Sequence, residues 1–210
     1  MIPNWINNPG FIKIFYPGDL VWTIRDDTQP SVYLTFDDGP HPTATNFVLE
    51  QLAKYNAKAT FFCVGDNVSK YPEIYASVLA QGHATGNHTY NHLNGWMTDD
   101  KTYLKNCCMA AELIQSKLFR PPYGMIRFSQ VGKLKRKYPG IRIVMWSLLS
   151  GDFDNRITPE QCLETVVNNI KPGAVIVFHD STKAWDRMHI VLPQVLKFCK
   201  EQNWAMKSIS

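Results

Sequence analysis

The sequence predicts a barrel-like α/β domain, with parallel strands inside and helices outside. Three observations carry that expectation. Strand-like and helix-like segments alternate along 210 residues, with no low-complexity linker or composition shift between them. The strand candidates are short and nearly continuous in apolar character, as in Ala174-Val175-Ile176-Val177-Phe178, which suits a parallel sheet covered by helices. Seven such segments alternating with about six helices make a unit slightly smaller than the eight-fold barrel of about 250 residues. An open doubly wound sheet is the alternative topology, but no glycine-rich dinucleotide fingerprint follows the first strand.

Taken in order, residues 1–30 read as an N-terminal extension packed on the barrel, and 31–210 as one domain. Strands are expected at 32–36, 60–64, 83–86, 118–120, 142–146, 174–178 and 204–209. Helices fill the gaps. Val48, Leu52 and Tyr55 share one helical face, Leu104, Cys107, Ala111 and Ile114 a second, and Val191, Val195 and Phe198 a third. Thr158-Pro159-Glu160-Gln161 reads as a helix start: Thr158 caps, Pro159 occupies the first turn, and Gln161 completes a capping box. Residues 169–173 supply the stop.

Composition narrows the class. An apolar share of 45% over this length supports one domain with a substantial core. A formal net charge of +4 is too small to imply binding to nucleic acid or to a charged membrane surface. The basic cluster Lys133, Lys135, Arg136 and Lys137 reads as a solvated helix face. Five cysteines without C-x-x-C spacing fall mostly in apolar runs, which points to buried thiols rather than a disulfide framework and favours a reducing compartment. The apolar patch at 11–16 contains Lys13 and is bounded by Gly10 and Pro17, too short for a transmembrane span and unlike a signal peptide. The expectation is a soluble, cytoplasmic protein with no transmembrane segment. Nothing in the chain indicates an oligomeric state.

Four constellations carry chemistry. Thr35-Phe36-Asp37-Asp38-Gly39-Pro40 sets two carboxylates side by side at the C-terminal end of a strand, where ligands bind in strand–helix folds. Adjacent acids repel, so the pair calls for a cation, an arginine or a proton. His88-Thr89-Tyr90-Asn91-His92 follows a short strand; as a helical turn it would put both imidazoles on one face. With Asp38 it completes two nitrogens and one oxygen around an open position, the donor set of a catalytic zinc-type site. Phe119-Arg120-Pro121-Pro122-Tyr123 places an arginine at a strand end, pointing into the mouth as counter-charge to one of the acids. Val177-Phe178-His179-Asp180 ends a buried strand on a histidine suited to acid–base work. Each has a plainer reading, as a solvated turn, a surface helix, a surface arginine or a core histidine. His41, His83 and His189 have no partner pattern. Trp96, Trp146 and Trp185 are candidates for stacking on sugar rings or for packing.

These motifs, in this order and approximate spacing, resemble the polysaccharide deacetylase family, the NodB homology domain of carbohydrate esterase family 4. The likeness continues through Lys58-Ala59-Thr60-Phe61-Phe62, Gly82-His83 and Leu192-Pro193, and covers roughly 30–205. The resemblance implies a deformed (β/α)7 TIM-like barrel, one divalent metal ion, most often Zn2+, and hydrolysis of N- or O-acetyl groups on an acetylated carbohydrate. It makes Asp37 the general base and Asp38, His88 and His92 the metal ligands. Arg120 would orient Asp37 and keep it ionised, the Tyr123 backbone N–H would meet the oxyanion, and His179 would protonate the leaving amine. An N-acetylglucosamine polymer or oligomer is the expected substrate. An O-acetyl ester or a small cyclic amide is the alternative within the fold, and a non-catalytic carbohydrate-binding protein the alternative outside catalysis.

The chain departs from the family pattern in places. Where the fourth motif reads Trp-x-x-Asp-x-x-Asp-Trp, this chain has Trp146, Leu149, Asp152 and Phe153, followed by Asp154. Asp152 is the candidate for tuning His179, with Asp154 behind it. Val177 stands where a leucine commonly lines the acetyl pocket.

Overall fold

Residues 20–210, the part of the chain that this computed structural model describes, form an α/β barrel around a sheet of nine strand segments. The strands are β1 (Leu20–Val21), β2 (Ser31–Asp37), β3 (Thr60–Cys63), β4 (Ala84–Asn87), β5 (Leu118–Phe119), β6 (Arg142–Val144), β7 (Leu148–Leu149), β8 (Val175–His179) and β9 (Ala205–Met206). The α-helices are α1 (Ala44–Lys54), α2 (Gly65–Lys70), α3 (Pro72–Ala80), α4 (Asp100–Leu113), α5 (Phe128–Lys137), α6 (Pro159–Asn169) and α7 (Trp185–Glu201), with a 3-10 turn at Pro122–Gly124.

The strands run β1-β6-β5-β4-β3-β2-β8-β7, all in parallel register, and β9 pairs with the start of β2. The chain just after β1 reaches round to the other side, where Thr23 makes an antiparallel bridge with Ala174 and the Ile24 N–H donates to Gly173 O at 3.0 Å. This is the deformed, TIM-like barrel expected. It has two strand segments more than the pattern predicts. Both β1 and β7 are two residues long and lie outside the runs read as strands. Of the predicted extension at 1–30, residues 1–19 lie outside the described residues, while Leu20 and Val21 form an edge strand of the barrel itself.

Alternation along the central strand decides what faces the barrel interior. Val32, Leu34 and Phe36 turn outward to a layer with Val48 and Leu52 of α1 and Val191, Val195 and Leu196 of α7. Tyr33 joins Phe62, Phe119, Val175 and Val177 in a second cluster, and Thr35 and Asp37 follow the same inward face. The same alternation turns Val175, Val177 and His179 inward on β8, with Asp37 and His179 level in the strand register. The α6 start is the predicted box: Thr158 Oγ1 accepts from the Gln161 N–H at 3.3 Å and Gln161 Oε1 from the Thr158 N–H at 3.0 Å. On α4 the expected face holds at Cys107 and Ile114, which are buried, and at Leu104, which packs on the core, while Ala111 is half-buried. Within the helix the buried positions are Tyr103, Asn106, Cys107 and Ala110, so a polar residue, Asn106, takes a place in the buried stripe.

All five cysteines are free, and Cys63, Cys107, Cys162 and Cys199 are buried. Among the described residues, no helix is long and apolar enough to cross a membrane.

Candidate active site

The site begins where β2 ends. Asp37 continues the inward face of the strand and is 4% exposed. Its partner is Arg120, directly after β5 and fully buried, whose Nη1 donates to Asp37 Oδ1 and to Thr35 Oγ1, both at 2.7 Å. Nη2 and Nε donate to the carbonyls of Met145 (2.8 Å) and Val144 (3.1 Å), and the guanidinium lies 4.1 Å over the Phe62 ring. Together these bonds use the planar fork of arginine, which a lysine cannot reproduce. The counter-charge expected of Arg120 is therefore in place, on Asp37.

Asp38 leaves the strand with φ 84°, and its Oδ1 and the Oδ2 of Asp37 both lie within 4.0 Å of His88 Nε2. The following turn is held from the end of the neighbouring strand β8. Asp180 Oδ1 accepts the Gly39 N–H at 3.0 Å, and Asp180 Oδ2 accepts from Thr45 Oγ1 at 2.5 Å. A Cβ at position 39 would overlap the Asp180 carboxyl group, so glycine is required by close approach. Burial pushes the Asp180 carboxyl up to about 8 against the bonds from Thr45 and Gly39. We expect Gly39→Ala to cost about 3 kcal/mol, as overpacking does at its upper end, read as a lowered Tm.

The two histidines come together, but not on a helix. Residues 88–92 form an irregular loop in which Thr89 (φ 65°) and His92 (φ 55°) are left-handed, so the expected helical turn is absent. The physical reason is that the backbone donors of the loop are satisfied from outside it: Asn87 Oδ1 accepts the Thr89 N–H at 2.8 Å, and Asn106 Oδ1 accepts those of Tyr90 (2.8 Å) and Asn91 (3.0 Å). The rings still lie 5.0 Å apart. His88 Nδ1 is 2.7 Å from the Arg120 carbonyl, which fixes the proton there and leaves Nε2 as a lone-pair donor. Arg120 thus touches both Asp37 and His88. Burial lowers the His88 pKa to about 4, against the opposing charge of Asp37, so the ring is neutral as a ligand must be.

Asp38, His88 and His92 each offer an atom within 4.8 Å of the others. His92 Nε2 is 3.2 Å and His88 Nε2 3.9 Å from Asp38 Oδ1, an oxygen that is buried and accepts no hydrogen bond. Burial opposes ionisation of Asp38, but the imidazoles of His92, His179 and His88 hold its carboxyl well below the usual range. An orphaned buried oxygen facing two imidazole nitrogens fits a divalent cation of the zinc type.

Across the mouth, His179 Nδ1 is 2.8 Å from Asp152 Oδ1, and Asp152 Oδ2 accepts the His179 backbone N–H at 2.7 Å. Burial disfavours the imidazolium, but Asp152 chiefly, then Asp38 and Asp37, raise its pKa to about 9. Phe153 meets the His179 ring edge-on, with centroids 5.1 Å apart. Asp154 does not join the site: its carboxylate is held by Arg156 Nε and Nη2 at 2.8 and 2.7 Å. Tyr123 takes a left-handed turn (φ 60°, ψ 6°) after two prolines, its ring 4.7 Å from that of His92 and its hydroxyl 3.2 Å from His92 Nδ1. Leu149 and Val177, which replace family residues, pair in register inside the barrel, two residues below His179.

The remaining candidates sort by burial. Trp96 is 52% exposed, with its indole N–H on Ile126 O at 3.2 Å, whereas Trp146 packs in the core and Trp185 stacks on His189. His41 Nδ1 accepts the Thr43 and Ala44 N–H groups at the start of α1, and His83 accepts the Ala59 N–H. Both are structural, as expected. Sequence reasoning missed Asp180, Thr45, Asn87 and Asn106. A buried acid next to the strand-end histidine was a signal for Asp180; the asparagines had none beyond a polar residue in an apolar stripe.

Comparison with known proteins bears on the family and the fold. The family described as polysaccharide deacetylase matches residues 24–137. A peptidoglycan-N-acetylglucosamine deacetylase of Bacillus cereus is 32% identical over 200 residues, covering 92% of each chain. The peptidoglycan deacetylase PdaC of Bacillus subtilis superposes with a TM-score of 0.76 at 29% identity, over 88% of this chain and 90% of that one. A mutant of BA3943, a CE4 family pseudoenzyme with restored enzymatic activity, superposes with a TM-score of 0.74 at 26% identity, over 88% of this chain and 67% of that one. By motif order, barrel and match over more than half its length, the chain belongs to the polysaccharide deacetylase family.

Proposed function

We propose that the protein is a metal-dependent hydrolase that removes the N-acetyl group from an N-acetylglucosamine residue of a polymer or oligomer. The observation that carries this reading is the division of the acid pair: Asp38 faces His88 and His92, while Asp37 is bound by Arg120 and stays beside them. When bound, a divalent cation such as zinc polarises the acetyl carbonyl and makes water more acidic.

The chain's own residues do the rest. Asp37, 4.0 Å from His88 Nε2 through its Oδ2, takes the proton of the attacking water, and Arg120 fixes the other carboxylate oxygen. The left-handed turn at Tyr123 presents its backbone N–H to the tetrahedral oxyanion, a donor worth about 3 kcal/mol in comparable sites. His179 gives its proton to the leaving amine, and Asp152 holds the imidazole on Nδ1 so that Nε2 carries that proton. Exposed Trp96, on the loop that continues from His92, offers a face for a neighbouring sugar ring. The substrate class follows the Bacillus cereus relative, which is named for N-acetylglucosamine in peptidoglycan.

A pseudoenzyme among the structural neighbours means that this fold does not guarantee chemistry. The complete set Asp37, Asp38, His88, His92, Arg120 and His179 favours activity in this chain. Zinc-loaded protein should release acetate from N-acetylglucosamine oligomers, lose that activity with EDTA and regain it with zinc. No acetate from a panel of N- and O-acetylated glycans would overturn the reading. Release from O-acetyl esters alone, insensitive to His179→Ala, would instead assign an esterase.

A pH prediction follows from His179. Its raised pKa keeps the acid protonated through neutrality, so the rate falls as pH rises through about 9. Asp152→Asn removes a charge that raises this pKa, so the alkaline limb of kcat/KM should move to lower pH.

A further inference from the structure

We infer that Asn106, a residue of α4 outside the site, positions the His88/His92 pair for metal binding; the inference rests on the metal reading above. Nothing in the i, i+4 spacing places these rings together, because the loop has no helical hydrogen bonds of its own and two left-handed non-glycine residues, Thr89 and His92. Such backbone persists only where its surroundings over-determine it. One side chain does most of that. Asn106 is 7% exposed; its Oδ1 accepts from the consecutive N–H groups of Tyr90 and Asn91 at 2.8 and 3.0 Å, and its Nδ2 donates to Asn91 Oδ1 at 2.8 Å.

Other supports act along the loop: the Tyr90 carbonyl accepts the Asp66 N–H at 3.0 Å, Thr89 Oγ1 accepts the Leu93 N–H at 3.1 Å, and the Tyr123 hydroxyl lies 3.2 Å from His92 Nδ1. Asn87 anchors the Thr89 N–H and, through Nδ2, the Cys107 carbonyl at 2.9 Å, while the Thr89 carbonyl accepts from Gly65. The amide of Asn106 is what ties the consecutive Tyr90 and Asn91 N–H groups to α4. Without that oxygen, two adjacent amides lose their acceptor, which weakens the hold on the left-handed state at His92. His92 Nε2 would then lose its 3.2 Å approach to Asp38, while His88, tied to the Arg120 carbonyl, would stay. Asn106 is therefore a positioning residue, acting through the backbone on one ligand of three.

A merely structural asparagine would lower stability and leave metal binding alone, so affinity decides. Asn106→Leu removes both functions of the amide at similar size. Asn106→Asp keeps an oxygen for both N–H groups, and the Asn91 amide can rotate to donate to the second oxygen. Zinc affinity is measured by chelator competition, with the Co(II) absorption spectrum as a report of ligand geometry. The expected result is a zinc Kd raised about 10- to 100-fold in Asn106→Leu, with an altered Co(II) spectrum, and within about threefold of wild type in Asn106→Asp. Leu134→Ala, destabilised in the core at α5, should bind zinc as wild type does. If Asn106→Leu does not fold, Asn106→Ser, whose hydroxyl is too short to reach both amides, takes its place with the same expectation. A folded Asn106→Leu or Asn106→Ser with wild-type zinc affinity and spectrum would overturn the inference. A wild-type protein that bound no zinc would overturn the metal reading instead. The positioning claim would then be decided by amide exchange at Tyr90 and Asn91, which must accelerate in the variant if it is correct.

Discussion

Asp37→Asn should lower acetate release about a thousandfold while zinc stays bound. A general base contributes about 10²- to 10⁴-fold, and the carboxamide has no basic oxygen to take its place. Zinc binding should be kept, but the buried Arg120 guanidinium loses its counter-charge, so the variant should also lose stability and its folding is checked in the same sample. The introduced carboxamide would retain an oxygen for Arg120 Nη1, and Asp38 with the two histidines keeps the donor set complete. The decisive comparison is kcat for Asp37→Asn against bound zinc in the same sample. Retained activity would show that Asp37 is not the base.

The second large effect falls on stability. Arg120→Leu should destabilise the fold by about 3–5 kcal/mol, because removing one partner of a buried pair leaves the other uncompensated. The loss includes the bonds to Thr35, Val144 and Met145, and the contact with Phe62. For a chain of this size, each kcal/mol lowers Tm by about 2–4 °C, so a fall of at least about 6 °C is expected. The double variant Asp37→Asn/Arg120→Leu should regain part of that loss, because the acid that needs the arginine is gone. Additive losses would mean that the pair is not coupled.

The sheet was legible wherever a strand sits in a continuous apolar run, and even the two-residue β5 and β9 fall within the expected 118–120 and 204–209. The run read at 32–36 is β2 and is buried throughout, but its inward face, Tyr33, Thr35 and Asp37, was not read from the sequence. The strands β1 and β7 fell outside the runs read as strands and had to be found in the structure. Much of the site was legible because charge demands compensation: paired acids at a strand end require partners, and Arg120 and the two histidines are such partners. What could not be read is how backbone amides are satisfied. The partner of Gly39 is Asp180, 141 residues away, and the loop at 88–92 depends on a carboxamide of α4. Spacing suggested a helix for His88 and His92 because it cannot register acceptors supplied from elsewhere. Asp154, close to His179 in motif terms, was claimed by Arg156 two residues on.

The central claim is that two adjacent carboxylates hold different offices, Asp38 on the metal and Asp37 free of it. Zinc content per chain, measured on wild type, Asp38→Asn and Asp37→Asn after dialysis, tests this most directly. The account predicts about one zinc in wild type, about one in Asp37→Asn and little in Asp38→Asn. Equal zinc in all three, or loss from Asp37→Asn alone, would contradict it.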